Sequence, residues 1–426
     1  MSGRLKESAF LSLYNLLFAL GAGAGLPFIA YKMVRQEKYR AGLPEKLGLR
    51  LPEVRGEKRI WIHAVSVGEV LAVVPLVKGL KRSVPHASLI LSTTTQTGMK
   101  TARDRLKDEV DTFLYFPLDF YPVVSRVVRA VSPHVVGVVE TEIWPSFLSV
   151  LASEGVPVFM INGRISDASF RGYEKLSFFL KPFFEKYRKF FVRSCRDAAR
   201  LYTLGASPQK IAVTGNIKYV SVYERAKEVD SSAVMASLGW EGFPIFCAGS
   251  THRGEEELVL EVYKRARELF SDLKLILAPR HPERKEEVAR LLEASSFSFG
   301  FRSEGNYRDK DVMVVDTVGE LFGFYSVSDV VFVGGSFVNV GGHNPLEPLV
   351  FGKPTAIGPH YHNFADVVED MRELLFVAES RGELLEFVLK SLNGSFKLPL
   401  DKVMKKFNLS INSVRLIIDE IKGCLE

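Results

Sequence analysis

Apolar and polar positions recur along this chain in two periods, and their alternation predicts its elements. Arg59-Ile60-Trp61-Ile62-His63-Ala64 reads as a short buried strand, after which Ser66-Val67-Gly68-Glu69 lead into a helical run through Val74, Leu76 and Leu80. The unit recurs with strands at 88–92, 135–139 and 156–161, ending at Thr93-Thr94-Thr95, Glu140-Thr141-Glu142 and Asn162-Gly163-Arg164. A second series starts near Gly215, with strands at 245–248, 273–278, 313–315, 330–333 and 355–357. Strands alternating with helices form a parallel sheet covered on both faces. The pattern therefore predicts an α/β chain of two doubly wound domains meeting near residue 215. In such sheets ligands collect beyond the carboxyl ends of the strands, which places the expected site in a cleft between domains.

Two stretches depart from this alternation. Residues 8–31 carry no charge, and a helix of that length rises to roughly 35 Å, enough to cross a bilayer. Arg4 and Lys6 precede it and Lys32, Arg35, Lys38 and Arg40 follow, so the positive excess keeps the downstream bulk in the cytoplasm. A cleaved secretory signal ending near Ala22-Gly23-Ala24 is the rival reading. Gly21, Gly23, Gly25 and Pro27 also suit a segment that only enters one leaflet. The second stretch, 171–193, interleaves Tyr173, Phe178, Phe179, Phe183, Phe184, Tyr187, Phe190 and Phe191 with basic residues. Its 190–192 end reads as a core strand; the rest fits either an ordinary amphipathic helix or a contact with anionic lipid.

Composition changes this picture little. With 47% hydrophobic and 25% charged residues the chain is a folded globular protein, and 426 residues exceed what one core organises. A net charge of +6 suits phosphorylated substrates or an anionic membrane and falls far short of a nucleic-acid-binding tail. Cys195, Cys247 and Cys424 have no zinc or disulfide spacing, as expected in a reducing compartment.

The candidate chemistry lies where strands end. Gly68 permits a tight turn that brings Glu69 to a helix start, where it serves either as a general base toward a sugar hydroxyl or as a complement to the helix dipole. Glu140 and Glu142 share a face if the chain there is extended, and either engage substrate or sit in a solvated loop. Residues 248–254 have the form of an anion-binding loop before a helix faced by Leu258, Val262, Ala266 and Leu269, without a Walker or GxGxxG pattern. Arg280 offers phosphate a planar fork and His281 a further donor. In the glycine-rich run 334–348, Asn344 can cap a helix starting at Pro345 and facing a phosphate. Glu347 either accepts from ribose hydroxyls or closes a capping box with Asn344.

With these residues assembled, the chain resembles the bacterial 3-deoxy-D-manno-octulosonic acid (Kdo) transferases, membrane-associated glycosyltransferases of the GT-B fold. The likeness runs through HAVSVGE at 63–69, ETEIWP at 140–145, NGRIS at 162–166, TGNIK at 214–218, GSTHRGEE at 249–256, PRHPER at 279–284, VGGSF at 333–337 and GGHNPLEP at 341–348. It implies a membrane anchor at 1–35, an acceptor-binding domain at 36–214 and a donor-binding domain at 215–426, whose last helices can pack back on the first. It implies Glu69 as catalytic base, with Glu140 and Lys218 stabilising the transition state. Contacts to the CMP of the donor fall on Pro279 and Arg280, on Val318, Gly319 and Glu320, and on Asn344, Pro345, Leu346 and Glu347. Arg253 departs from the acidic residue usual in that loop. The implied reaction moves Kdo from CMP-Kdo to the tetraacylated lipid A precursor with inversion, without metal or other cofactor, at the cytoplasmic face of the bacterial inner membrane. Rival expectations are a GT-B transferase using a UDP-sugar on a cell-wall lipid, and a non-catalytic nucleotide-sugar binder that needs no Glu69.

Overall fold

The structure, a computed structural model, describes residues 2–35 and 40–426; Lys38 and the expected domain start at residue 36 lie outside the described residues. The chain divides into two units, Met1–Ser221 with Asn408–Glu426, and Val222–Phe407. The division thus falls at 221/222 rather than 214/215, and the last residues belong to the first unit.

Unit 1 is built on β1 (Arg59–His63), β2 (Ser88–Thr93), β3 (Thr112–Tyr115), β4 (Val135–Val139), β5 (Val158–Gly163), β6 (Tyr187–Val192) and β7 (Ile211–Val213). Their spatial order is β3-β2-β1-β4-β5-β6-β7, every pairing is parallel, and helices connect them. Parallel strands are buried on both faces, which is why β4 reads as an unbroken Val135-Val136-Gly137-Val138-Val139. Gly137 is required there: a Cβ would come within 2.6 Å of Ile161 and 2.8 Å of Ile62 on the two flanking strands.

Alternate residues feed separate cores, Ile60 and Ile62 on one side of the sheet and Trp61 on the other. The helix Leu400–Lys422 completes the first core with Val414, Ile417, Ile418 and Ile421. Ser413 fixes this helix by donating its hydroxyl to the Thr214 carbonyl.

Unit 2 repeats the plan with β8 (Ile245–Thr251), β9 (Lys274–Pro279), β10 (Phe299–Phe301), β11 (Val312–Val314), β12 (Val330–Val333), β13 (Thr355–Ile357) and β14 (Phe376–Val377), in the order β10-β11-β9-β8-β12-β13-β14. The helix Glu255–Arg267 buries Val259, Val262, Tyr263 and Ala266, whereas Leu269 lies beyond it and exposed. The expected stripe thus holds at Leu258, Val262 and Ala266, with Val259 and Tyr263 widening the inward face, and fails at Leu269. In both sheets the winding direction reverses beside the first strand, between β1 and β4 and between β8 and β12. Open α/β sheets bind ligands at such reversals.

The 171–193 stretch resolves into two parts. Phe183, Phe184, Tyr187, Phe190 and Phe191 are core, while Leu176, between the short helices Asp167–Lys175 and Ser177–Phe184, and Phe178 and Phe179 at the start of the second are exposed. The N-terminal helix Ser2–Arg35 rests on this part of unit 1 through Phe10, whose ring lies 5.3 Å from Phe179 and 5.6 Å from Phe183.

Deleting a buried aliphatic side chain costs its transfer energy plus that of the cavity left behind, so Ile417→Ala should destabilise unit 1 by about 2–5 kcal/mol. Urea denaturation followed by a probe in unit 1 checks this, and an unchanged midpoint would separate the terminal helix from its core.

Candidate functional site

At the reversal in unit 1, β1 runs into the helix Val67–Ser83 and β4 into a loop before the helix Pro145–Ser153. Glu69 stands in the first turn after β1, its side chain largely buried. It accepts from the Val65 backbone N–H at 2.8 Å and from the Ser66 hydroxyl at 2.9 Å. This ties Glu69 back to the residues before the helix, much as half of a capping box would. Gly68 is not in the left-handed region; a Cβ there would meet nothing nearer than Ser66 Oγ at 3.9 Å. The left-handed turn expected of this glycine is thus not what it supplies.

Glu140 sits at φ 58°, so the backbone curls out of β4 and the extended Glu140–Glu142 dipeptide does not form. Its carboxylate pairs with Arg193 and lies 3.5 Å from Lys218 Nζ. Lys218 opens the helix Lys218–Lys227 and is half-buried, not the surface lysine its position suggested. Thr141 bridges to the next loop, accepting from Arg164 N at 3.1 Å and donating to Arg164 O at 2.5 Å.

Burial raises the Glu69 carboxyl above its ordinary value and Glu140 raises it further, against the hydrogen bonds from Val65 and Ser66 and the charge of Lys218. Glu142 is pushed up to about 7 by burial, with Glu69 and Glu140 adding repulsion. Glu69, Glu140 and Lys218 thus come together, with Arg193 and Glu142 as members whose place sequence reasoning had not fixed. Arg193 was detectable as the first charged residue after β6, at the ligand edge of the sheet.

In unit 2 the expected anion-binding loop already holds an anion. Glu255, the first residue of its helix and fully buried, accepts from the backbone N–H groups of His252 (2.9 Å), Gly335 (2.7 Å), Ser336 (2.9 Å) and Phe337 (2.8 Å). It ties the loop after β8 to the loop after β12 across the reversal. Gly334 lets them approach, since a Cβ would lie 2.7 Å from Ser250 O and 2.9 Å from Glu255 itself. The glycines of this loop therefore serve an internal carboxylate. Arg253 points away from the loop and pairs with Glu287 at 2.7 Å.

Beside this staple is a cavity of about 260 Å³ walled by Arg225, Ser250, Arg280, Gly319, His343, Asn344 and Glu347, among others. Asn344 Oδ1 accepts from Leu346 N at 3.2 Å, but Asn344 stands one residue before the N-cap and does not take the capping position expected of it. That helix, Leu346–Leu349, is a single turn starting one residue later than expected, with Pro345 at its N-cap. Too few peptides align there for a strong dipole, and the positive charge of the cavity comes from Arg280 and Arg225. Glu347 lies 3.5 Å from Asn344 Nδ2 and 3.9 Å from Arg225, and does not close a capping box. Burial raises its carboxyl, opposed by Arg225, Asn344 and Arg280.

His252 and His343 face each other through their Nε2 atoms at 2.9 Å, and burial, with His252, Arg280 and His281 nearby, lowers His343 to about 4. At neutral pH that pair shares a hydrogen bond between uncharged rings. His281 instead lies 3.2 Å from Glu283 on the surface.

The remaining predicted residues scatter more. Pro279 ends β9 in the core, and Leu346 is buried. Val318 is 88% exposed, and the Glu320 carboxylate is held by Arg302 at 2.8 Å and by Thr317. Glu320 and Gly319 border a second cavity of about 520 Å³ that shares Arg225 and Phe322 with the first. Arg225 lies 4.0 Å over the Phe322 ring; on the sequence it is an unremarked arginine in a helix, with no signal that it enters a site. Among the described residues no group of three His, Cys, Asp or Glu is arranged to hold a metal ion.

A family model described as 3-Deoxy-D-manno-octulosonic-acid transferase (kdotransferase) matches residues 40–221. A 3-deoxy-D-manno-octulosonic acid transferase of Haemophilus influenzae is 36% identical over 380 residues, covering 87% of each chain. One of Chlamydophila psittaci is 33% identical over 370 residues, covering 86% of this chain and 84% of its own. A solved UDP-GlcNAc 2-epimerase from Neisseria meningitidis superimposes with a TM-score of 0.56 at 11% identity, covering 86% of this chain and all of that one, a likeness of fold alone.

Two outcomes follow from the carboxylates. Glu255→Ala leaves four loop N–H groups without their acceptor and should cost about 3–5 kcal/mol in unit 2, read by thermal or urea denaturation. Glu142 binds its proton more tightly folded than unfolded, so its contribution to stability is present below pH 4.5 and lost as pH rises through about 7. Glu142→Gln should flatten the fall of the urea midpoint between pH 5 and pH 7.5.

Proposed function

The chain belongs to the Kdo transferase family of glycosyltransferases, and on that footing we propose that it transfers Kdo from CMP-Kdo to a tetraacylated lipid A precursor with inversion, at the cytoplasmic face of a bacterial inner membrane. The observation that carries the reading is Glu69: a largely buried carboxylate above its ordinary pKa, at the reversal of the unit 1 sheet, with Glu140 and Lys218 acting on it. A carboxylate of raised basicity accepts a proton from an attacking hydroxyl more readily than an ordinary exposed glutamate.

In this reading the acceptor hydroxyl gives its proton to Glu69 as its oxygen bonds to the anomeric carbon of Kdo. The bond from that carbon to the CMP phosphate breaks, and the electron pair leaves with CMP. Arg280 meets the phosphate with its fork of donors, and Glu347, placed beside Asn344, accepts from the ribose hydroxyls. Arg225 holds Glu347 from the opposite side and keeps that acceptor oriented. Lys218, next to Glu140, offsets negative charge that grows on the departing phosphate. Neither metal nor organic cofactor has a part in this scheme.

An uncharged helix suits an acceptor whose acyl chains stay in a bilayer. The window Ser8–Gly25, with a mean hydropathy of 1.3, is long and apolar enough by composition to enter one.

Glu69→Gln removes the base while keeping the side chain's shape. Turnover of CMP-Kdo should fall about 10²–10⁴-fold with CMP binding unchanged by calorimetry. Retained turnover would remove Glu69 from the chemistry, and loss of both turnover and CMP binding would point to a structural role.

A further inference from the structure

Two histidines of unit 2 have no part in the transfer scheme above. His252 follows β8 and His343 lies in the loop after β12, so they approach from the two sides of the sheet reversal and meet Nε2 to Nε2 at 2.9 Å, with ring planes 5° apart. The fold is built around this contact. Gly335 forms its floor, since a Cβ there would lie 2.8 Å from His343 Cδ2 and 3.5 Å from His252 Cδ2. Glu255 Oε2 accepts from both Gly335 N and His252 N, so one carboxylate fixes the floor and the backbone of one ring. His343 also walls the cavity of about 260 Å³, together with Arg225, Arg280, Asn344 and Glu347.

The contact restricts where protons can sit. Two Nε2 atoms at this separation share one hydrogen, which one ring donates and the other accepts. An uncharged pair therefore has one Nδ1–H and one bare Nδ1 at its outer ends. Adding a single proton to the bare end keeps the central bond and makes both outer ends donors. A second proton would set two N–H groups against each other. The pair is thus made to hold one positive charge.

Its surroundings lack a matching anion. Arg280, His281 and Arg284, all in the segment after β9, act on the pair, and the His281 ring lies 5.7 Å from that of His252. Glu255 acts on His252 in the opposite sense, but its oxygens are already taken by four backbone N–H groups. Arg225 and Glu347, elsewhere on the cavity wall, are 3.9 Å apart. Burial, reinforced by the cations, holds both rings below the ordinary histidine value, His343 at about 4. A doubly charged phosphate against Arg280 reverses the sign of the field at His343.

We propose that His252 and His343 work as a one-proton acceptor matched to the leaving nucleotide: the doubly charged phosphate of CMP draws one proton from water onto the pair, and the proton returns to water when CMP departs. In the donor the phosphate is a diester with one negative charge. When its bond to the anomeric carbon breaks, the electron pair stays on the phosphate oxygen and the second charge appears. The proton on the pair then places a compensating charge on the cavity wall beside Arg280. This rests on the CMP-sugar reading above and adds a site of proton uptake to it.

The test uses the full chain in detergent, with histidine carbon-13 labelled at Cε1 and the two resonances identified by their loss in His252→Gln and His343→Gln. NMR follows them between pH 8 and pH 4.5 with and without saturating CMP. Phosphorus NMR of the bound nucleotide separately follows the phosphate's own ionisation, near pH 6 in water. Without ligand both rings should stay uncharged to below about pH 5; with CMP the pair should gain one proton at a midpoint about two pH units higher. A cytidine methyl phosphodiester, which never carries the second charge, should raise the midpoint by less than half as much. An unchanged midpoint with CMP bound, or an equal effect of the diester, would overturn the proposal.

Affinity gives a second readout. Because the complex holds one proton more than the free protein, CMP binding strengthens as pH falls. Dividing the native affinity by that of His343→Gln at each pH cancels the ionisation of the phosphate, and the ratio should grow about tenfold between pH 7.5 and pH 5. A ratio constant over this range would leave the histidines only the structural task of tying two loops together, contrary to the proposal. Absence of CMP binding at every pH would remove the CMP-sugar reading and the proposal with it.

Discussion

A parallel sheet ends in loops whose backbone N–H groups have no ladder to join, and in this chain acidic side chains satisfy many of them. Glu255 takes four such groups, Asp119 takes Ser146 N and Phe147 N, and Asp197 takes Ile165 N. Asn162 does the same for Ile217 N with its amide oxygen. A buried N–H without an acceptor costs more than a typical hydrogen bond contributes, so these groups decide whether the loops at the ligand edge of each sheet hold their shape. Glu69 belongs to the same set but takes one backbone N–H and one hydroxyl, and is repelled by Glu140. Burial and the nearby Glu140 hold the Glu69 carboxyl above its ordinary value.

This constraint also explains what could be read from the sequence. Strands such as 135–139 and 330–333 were legible because burial on both faces demands an unbroken apolar run. β7, β10 and β14 were not, being two or three residues long at or near sheet edges, where little apolar pattern is needed. Arg280 was legible because it directly follows β9, and Glu69, Asn344 and Glu347 because they stand where the loops after β1 and β12 run into helices. Lys218 came from resemblance, since its neighbour Glu140 is distant in sequence and nothing local marks the pair. Arg225 gave no signal for the same reason. The loop before Glu255 was recognised as an anion site, but the sequence does not say that the anion belongs to the protein. The stripe expected on the 255–267 helix fails at Leu269, which is as apolar as the residues that pack but lies past the helix end.

Chemistry in the two units is complementary. Unit 1 offers a poised carboxylate and the cations Lys218 and Arg193; unit 2 offers an arginine-lined cavity whose shape depends on the Glu255 staple. In the proposed transfer the carboxylate would act on the acceptor and the arginine-lined cavity on the leaving nucleotide.

The most direct measurement is mass spectrometry of the products when the purified full chain is given the tetraacylated lipid A precursor together with both CMP-Kdo and UDP-N-acetylglucosamine. The account predicts precursor carrying Kdo, release of CMP and untouched UDP-sugar. Precursor left unmodified while CMP-Kdo remains intact, or a product carrying the UDP-derived sugar, would contradict it.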